Sequence, residues 1–128
     1  MNYGITEHYT EELADWDRIL VFHKLESNGF ERRLAAVLKD NKRDGLDKEG
    51  IALLDLFIVQ HQRFDFLHKQ IESQQHRLTH NVPSDKKAIE NPITHQQNSL
   101  RSRMQNIERE FVRTKYNGYV FLSSILTD

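Results

Sequence analysis

Residues 93–126 have the sequence ITHQQNSLRSRMQNIEREFVRTKYNGYVFLSSIL. Apolar residues recur in it at steps of three and four, which is the spacing of one face of an α-helix. This stripe consists of Ile93, Leu100, Met104, Ile107, Phe111, Leu122 and Ile125, with Gln96, Thr114 and Gly118 at the positions between them. Asn91 and Pro92 precede it as a start signal, because Asn accepts free helix amides and Pro fits a first turn. The stretch predicts one helix over about 93–126, roughly 50 Å long at 1.5 Å per residue.

A helix this long is not stable with its apolar stripe in water, so other parts of the chain must cover it. A first partner helix is predicted at about 10–40, after a lead-in of residues 1–9, with Thr10 as its N-cap. Its stripe consists of Leu13, Trp16, Ile19, Leu20, His23, Phe30, Leu34, Val37 and Leu38. The phase of this stripe continues through Gly29, so we expect one helix whose weakest turn lies there.

A second partner helix is predicted at about 48–78, with Asp47 as its cap. Its stripe consists of Leu53, Leu56, Phe57, Phe64, Leu67, Ile71 and Leu78. The short polar turn at residues 41–46 makes the first two helices antiparallel neighbours, and residues 79–91 form a longer loop before the third. The sequence therefore predicts an all-α fold, an up-down-up antiparallel bundle of three long helices in a single domain over residues 1–128.

The composition excludes several kinds of site and partner. The chain has 128 residues and no cysteine, so disulfides and thiolate metal sites are excluded. Its 18 Lys and Arg residues against 19 Asp and Glu residues give no single-sign field that would attract nucleic acid or an anionic membrane. Residues 1–10 contain neither a basic cluster nor an apolar run, and no segment is apolar for long enough to span a bilayer. We therefore expect a cytoplasmic protein that binds neither nucleic acid nor a membrane.

Three stretches of the chain carry motifs that resemble those of a known group of proteins. They are WDRILVFHKLESNGFERRLAAVLKDN at residues 16–41, LDLFIVQHQRFDFLHKQIESQQHRL at 54–78 and QNSLRSRMQNIEREFVRTKYNGYVFL at 97–122. The Trp-led first helix ending in RLAxVLK and the MxxxEREF run in the third are similar to those of small, uncharacterised bacterial proteins. The resemblance implies three long helices and no known activity.

The second helix carries a row of side chains of the types that bind metals. The row consists of His61, Asp65, His68, Glu72 and His76. Their steps of four and three place them on one face, beside the apolar stripe. Imidazole and carboxylate groups at this spacing can ligate Zn²⁺, Fe or Mn²⁺.

Folding the helices back on one another brings two further residues to the same level. A turn about residue 43 or 44 sets His23 level with Asp65, and a turn about residue 85 or 86 brings Glu108 close to that level. The candidate metal ligands are therefore His23, His61, Asp65, His68 and Glu108. The alternative is that a buried His23 is neutral, or pairs with Asp65 or Glu108 and fixes the register of the helices. Di-iron bundles use two Glu-x-x-His motifs, whereas this chain has only Asp65-x-x-His68, which argues against a metal site. A further alternative, favoured over both, is a face rich in His, Gln and Glu that meets solvent.

Motifs of catalysis are absent from the sequence. It has no Gly-rich phosphate loop, no nucleophile elbow and no His-Glu-x-x-His zinc motif. The basic residues of the third helix are interrupted by Glu108 and Glu110, which is typical of a solvated surface. The sequence favours a non-enzymatic interaction or scaffold module without a cofactor, with a metal-binding helical bundle as the alternative.

Apolar residues outside the stripes indicate self-association. They are Ile51, Leu54 and Ile58 on the second helix and Val112, Tyr116, Tyr119 and Val120 on the third. Both sets fall at the same end of the bundle, and a large exposed apolar surface is unusual on a soluble monomer. We therefore expect a coiled-coil bundle that forms a homodimer through these residues. We also expect a bulky side chain near Leu53 to pack against the bare backbone of Gly118.

Overall fold

The fold is a bundle of three long helices, and the computed structural model describes residues 4–40, 46–80 and 92–126. Helix α1 spans Ile5–Asp40, α2 spans Leu46–His80 and α3 spans Pro92–Leu126. The helices pack against one another, and the described ranges contain no strand. The predicted all-α bundle of three long helices is therefore confirmed.

Contacts between the helices give their directions. They are Lys24–Asp65 and Glu31–His61 between α1 and α2, Glu12–Arg101 and Glu26–Lys115 between α1 and α3, and Arg63–Glu110 and Gln70–Arg103 between α2 and α3. Residue numbers rise on α1 as they fall on α2, so these helices are antiparallel. They rise together on α1 and α3, so these two are parallel and the topology is up-down-up.

The core lies along the axis of the bundle and follows one spacing in all three helices. Its positions are Tyr9, Leu13, Trp16, Leu20, His23, Ser27, Phe30 and Leu34 on α1, Gly50, Leu53, Phe57, Gln60, Phe64, Leu67, Ile71, Gln74 and Leu78 on α2, and Ile93, Gln97, Leu100, Met104, Ile107, Phe111, Thr114, Gly118 and Phe121 on α3. The steps alternate between three and four, so each pair of steps adds up to seven residues. A seven-residue repeat keeps one side of each helix facing its neighbours along the whole length.

Helix α1 begins five residues earlier than the sequence predicts. Thr10 is not its N-cap, because its hydroxyl lies inside the helix and donates to the carbonyl of Thr6 at 2.7 Å. The earlier start extends the core by one position, since Tyr9 is buried.

Asp47 lies in the first turn of α2, which begins at Leu46, so it is not the cap either. As predicted, α1 continues without a break through Gly29.

Several predicted core positions are shifted. In α3 the buried residues are Gln97 and Phe121, not the predicted Gln96 and Leu122, which are only partly buried. In α2 the predicted Leu56 is exposed. The seven-residue repeat explains the shifts in α3, because a stripe continued at the ordinary helical period of 3.6 drifts away from the core row by a fraction of a residue in each repeat. Leu56 lies outside the repeat, since Leu53 and Phe57 on either side of it are the core positions. The predicted turn at 41–46 and loop at 79–91 are shorter than expected, because α2 includes Leu46, Thr79 and His80. Residues 41–45 and 81–91, with the predicted cap Asn91, lie outside the described residues.

Candidate interaction surface

His23 lies in the middle of the core, between two aromatic rings. Its ring centroid is 5.5 Å from that of Phe64 and 5.0 Å from that of Phe111, and 12% of its side chain is exposed. The nearest carboxylate oxygen, on Glu26, is 3.6 Å from its Nδ1, which is too long for a hydrogen bond, and neither ring nitrogen has a partner within the described structure. Desolvation lowers the pKa of His23 below its ordinary value and outweighs the opposing charges of Glu108 and Glu26. The predicted burial is confirmed, and the geometry favours a neutral ring.

The three candidate metal ligands on α2 are engaged separately, on the outer edge of the contact between α1 and α2. His61 Nδ1 is 3.0 Å from Glu31 Oε2, and Asp65 accepts a hydrogen bond from Lys24 at 3.1 Å. The His68 ring lies between the carboxylates of Asp17 and Glu72, one at each nitrogen.

The predicted set of ligands does not come together. His61 and His68 point toward acids on α1, whereas His23 points into the core, and Glu108 acts on His23 only through its charge. Within the ranges that the structure describes, no three His, Asp or Glu side chains are grouped so that they could hold a metal ion. The contacts of His61, Asp65 and His68 with α1 favour one register of α1 against α2, because each joins one particular residue of α1 to one particular residue of α2.

Buried polar residues form a second set of cross-helix contacts near the N-terminus of α1. Gln74 Nε2 donates to the carbonyl of Ile93 at 2.9 Å and to Gln97 Oε1 at 3.1 Å. Gln97 Nε2 in turn donates to Glu12 Oε1 at 2.9 Å. Arg101 donates two hydrogen bonds to the same carboxylate, at 2.8 and 2.7 Å. Burial alone would raise the pKa of Glu12, but the hydrogen bonds from Arg101 and Gln97 outweigh it and hold that pKa below its ordinary value. All three helices are thus joined by one network of polar side chains.

Gly118 makes a close approach to two aromatic rings. A Cβ atom at this position would lie 3.0 Å from Phe30 and 3.2 Å from Phe57. The predicted bulky neighbour is therefore confirmed as Phe57, one turn from Leu53 on α2, and Phe30 of α1 lies beside it. Since Gly118 is a core position, the glycine makes room for these rings.

Most of the predicted interface residues are exposed. The side chains of Ile51, Ile58, Val112, Tyr116, Tyr119 and Val120 are all largely exposed, with Tyr116 the most accessible at 67%. Leu54 is different, since it is partly buried and packs against the core.

Five of the predicted interface residues border three different grooves between the helices. Leu54 and Ile58 line a hollow beside α1 together with Ala35. Tyr119 lines a hollow on the other side of α1, where its ring meets the edge of Phe30 at a centroid distance of 4.9 Å. Tyr116 and Val120 line a third hollow, beside α2, that includes Leu56. The predicted residues of α2 and those of α3 thus share none of these three hollows.

Sequence reasoning missed several exposed apolar residues. They are Ile5, Val21, Phe22 and Leu25 on α1 and Leu56, Val59 and Phe66 on α2. A signal for Leu56 and Val59 is present in the sequence, because residues 51–59, IALLDLFIV, contain only one polar residue. A helical segment that is apolar on every side exceeds what one core can bury.

Comparison of the chain with protein-family models, with curated proteins and with solved structures finds no match. In the part of the chain that the structure describes, no helix is both long and apolar enough to cross a membrane.

Proposed function

We propose that this protein is a non-enzymatic interaction module, a three-helix coiled-coil bundle that self-associates through apolar side chains on its outer faces. The observation that carries the proposal is the number of these side chains. Among the described residues, thirteen large apolar side chains are exposed, and Phe22, Leu25, Phe66 and Tyr116 are each exposed by more than 60%. Some of them are neighbours on one helix face, as Val112, Tyr116 and Val120 are at steps of four on α3. Contiguous exposed apolar surface is unusual on soluble monomers and marks interaction sites.

The distribution of polar groups supports a structural role for the rest of the molecule. Buried or half-buried polar side chains form hydrogen bonds between helices: Gln97 binds Glu12, and His61 binds Glu31. Such contacts fix which helix faces which and at what register. The aromatic and arginine side chains on the outer faces are residue types enriched in protein interfaces.

The setting of the module follows from the composition. A chain without cysteines and with nearly balanced charge suits the reducing cytoplasm, which we propose as its location. The motifs quoted above favour small bacterial three-helix proteins as its relatives.

Sedimentation equilibrium at micromolar concentration tests self-association. The proposal predicts a mass above the 15.2 kDa of one chain that rises with concentration. A clean monomer over the whole concentration range would overturn it. Circular dichroism of each sample shows whether the helices are intact.

A further inference from the structure

We propose that two copies of the chain pair through the outer face of α2, antiparallel, with Gln62 on the two-fold axis. This inference rests on the self-association proposed above and names the surface that carries it. The outer row of α2 is defined here as Asp55, Ile58, Val59, Gln62, Phe66 and Lys69, all of which are exposed.

The outer row has the same spacing as the core row on the opposite side of the helix. Its residues Asp55, Val59, Gln62, Phe66 and Lys69 follow one another at steps of four and three. That rhythm is the one by which a helix presents a continuous seam to a partner helix. Three of the six outer-row residues are large and apolar, with Phe66 exposed by 63%, Val59 by 41% and Ile58 by 38%. Helix α2 therefore has a second, uncovered seam.

The outer row is complementary to itself about Gln62. Asp55 and Lys69 each lie seven residues from Gln62, on opposite sides of it, and Ile58 and Phe66 each lie four residues away. In an antiparallel pair of helices, residues equidistant from the axis stand at the same height. A two-fold axis at Gln62 thus sets Asp55 opposite Lys69 of the second copy, and it does so twice. It also brings Phe66 of each copy to within one residue of the height of Val59 of the other, on the same flank of the seam.

The charges of the outer row select a second copy in this orientation. Asp55 and Lys69 are its only charged members, and neither forms an ion pair in the part of the chain that the structure describes. Neighbouring charges are already used within the bundle, since Asp65 binds Lys24 and Arg63 binds Glu110. A parallel pair would set Asp55 against Asp55 and Lys69 against Lys69, which like-charge repulsion disfavours.

The outer face of α3 lacks this complementarity. Arg109 and Arg113 lie on it, and the exposed acid beside them, Glu110, is bound to Arg63 of α2. Two copies of this face would bring arginines together without free carboxylates. The face of α2 therefore fits a second copy of the chain better than the face of α3 does.

Charge reversal on the full chain tests the pairing. Asp55→Lys and Lys69→Asp should each raise the dissociation constant of the dimer at least about tenfold, because each replaces two attractions by two repulsions. The double variant Asp55→Lys/Lys69→Asp should return it to within about threefold of the wild-type value, since it restores both pairs in reverse. Arg109→Asp on α3 is the matched control and should leave the constant unchanged.

A cross-link tests the position of the axis. The chain has no cysteine, so Gln62→Cys introduces a single thiol. Two such thiols on the axis come within the distance of about 7 Å between Cα atoms that a disulfide needs, so mild oxidation should give a covalent dimer. Gln105→Cys on the outer face of α3 is the control and should stay monomeric in denaturing electrophoresis.

The outcomes separate this inference from the proposed function. A wild-type chain that is monomeric at every concentration overturns both. A dimer that is insensitive to Asp55→Lys and not cross-linked through Gln62→Cys, but that Tyr116→Glu and Val120→Glu dissociate into folded monomers, overturns only the pairing through α2. Self-association would then stand, with α3 as its surface.

Discussion

Phe30 of α1 and Phe57 of α2 stack face to face, with their ring centroids 4.7 Å apart and their planes at 11° to each other. The backbone of Gly118 on α3 closes this layer, because both rings occupy the space next to its Cα where another residue would place a side chain. Each helix thus contributes to the layer, two of them with a ring and the third with bare backbone. Offset or stacked aromatic pairs add stability beyond the area they bury.

Gly118→Leu should destabilise the bundle by about 1–3 kcal/mol, because the new side chain must displace two buried rings. The better helix propensity of leucine, worth up to about 1 kcal/mol, does not compensate for this overpacking. Urea unfolding followed by circular dichroism measures the change. An unchanged midpoint would mean that the rings can move aside without cost.

Gly29 provides the matched comparison, since it is also a glycine inside a long helix. A Cβ atom there would meet only the guanidinium end of Arg33, at the ordinary contact distance of 3.5 Å. Gly29→Ala should therefore stabilise the bundle by about 0.5–1 kcal/mol through helix propensity alone. A loss of stability would show that this turn of α1 needs its glycine.

His23 should make the stability of the bundle fall as the solution becomes acidic. Its pKa in the folded chain lies below the value of 6.5 that the unfolded chain is expected to have, since burial opposes the charged ring. The unfolded chain then binds the proton more tightly. The stability provided by the neutral ring is fully present above about pH 6.5 and is lost as the pH falls through the lower, folded pKa.

His23→Leu should remain folded, and its advantage in unfolding free energy over the wild type should grow as the pH is lowered below about 6.5. Chemical unfolding at a series of pH values gives this difference. His95→Ala, at an exposed position of α3, is the control for loss of a histidine as such. Collapse of the helical signal in His23→Leu would instead show that His23 is needed to set the register.

The apolar core was predictable from the sequence wherever a residue's own type determines its place. Leu100 and Phe111 lie in the core as expected, because their spacing alone puts them on one face. Gln97, Gln60 and Gln74 are equally buried, yet nothing in their type indicates it. Their burial depends on partners that come from other helices, and those partners exist only after the bundle has assembled.

The candidate metal site shows which part of a site the register can predict. Folding the chain back about its turns predicted the heights correctly, since His23 lies beside Phe64, the residue next to Asp65, and the charge of Glu108 acts on its pKa. The direction of each side chain around its helix was not obtained in this way. His61 and His68 point to the edge of the bundle because they occupy positions beside the core row. The position of a residue along the bundle axis follows from counting residues from the turns. The direction of its side chain around the helix follows from its place in the seven-residue repeat.

Glu12→Gln should destabilise the bundle by about 1–2 kcal/mol at neutral pH, a moderate figure because Arg101 is partly exposed and water screens the pair. The pKa of Glu12 in the folded chain lies below its ordinary value of 4.5. The carboxylate therefore contributes stability above about pH 4.5, and this contribution is lost as the pH falls through the folded pKa. The gap between wild type and variant should close in acid. Glu11→Gln, at the exposed neighbouring position, should show no gap at neutral pH.

Thr114 and Gln60 form a buried polar pair that lends itself to a double-mutant cycle. Gln60 Nε2 donates to Thr114 Oγ1 at 2.7 Å, and that hydroxyl donates to the carbonyl of Glu110 at 3.0 Å. Thr114→Val keeps the shape of the side chain but leaves the buried amide of Gln60 without an acceptor, which should cost about 1–3 kcal/mol.

Adding Gln60→Leu to Thr114→Val should recover most of that loss, because the double variant has no unpaired polar group at this level of the core. Urea unfolding of the wild type, both single variants and the double variant gives the coupling free energy. If the losses of the two single variants simply add, the hydrogen bond between them is not what stabilises this layer. If the double variant is as stable as the wild type but unfolds with lower cooperativity, the pair serves to align α2 with α3, which is the role that polar core positions have in coiled coils.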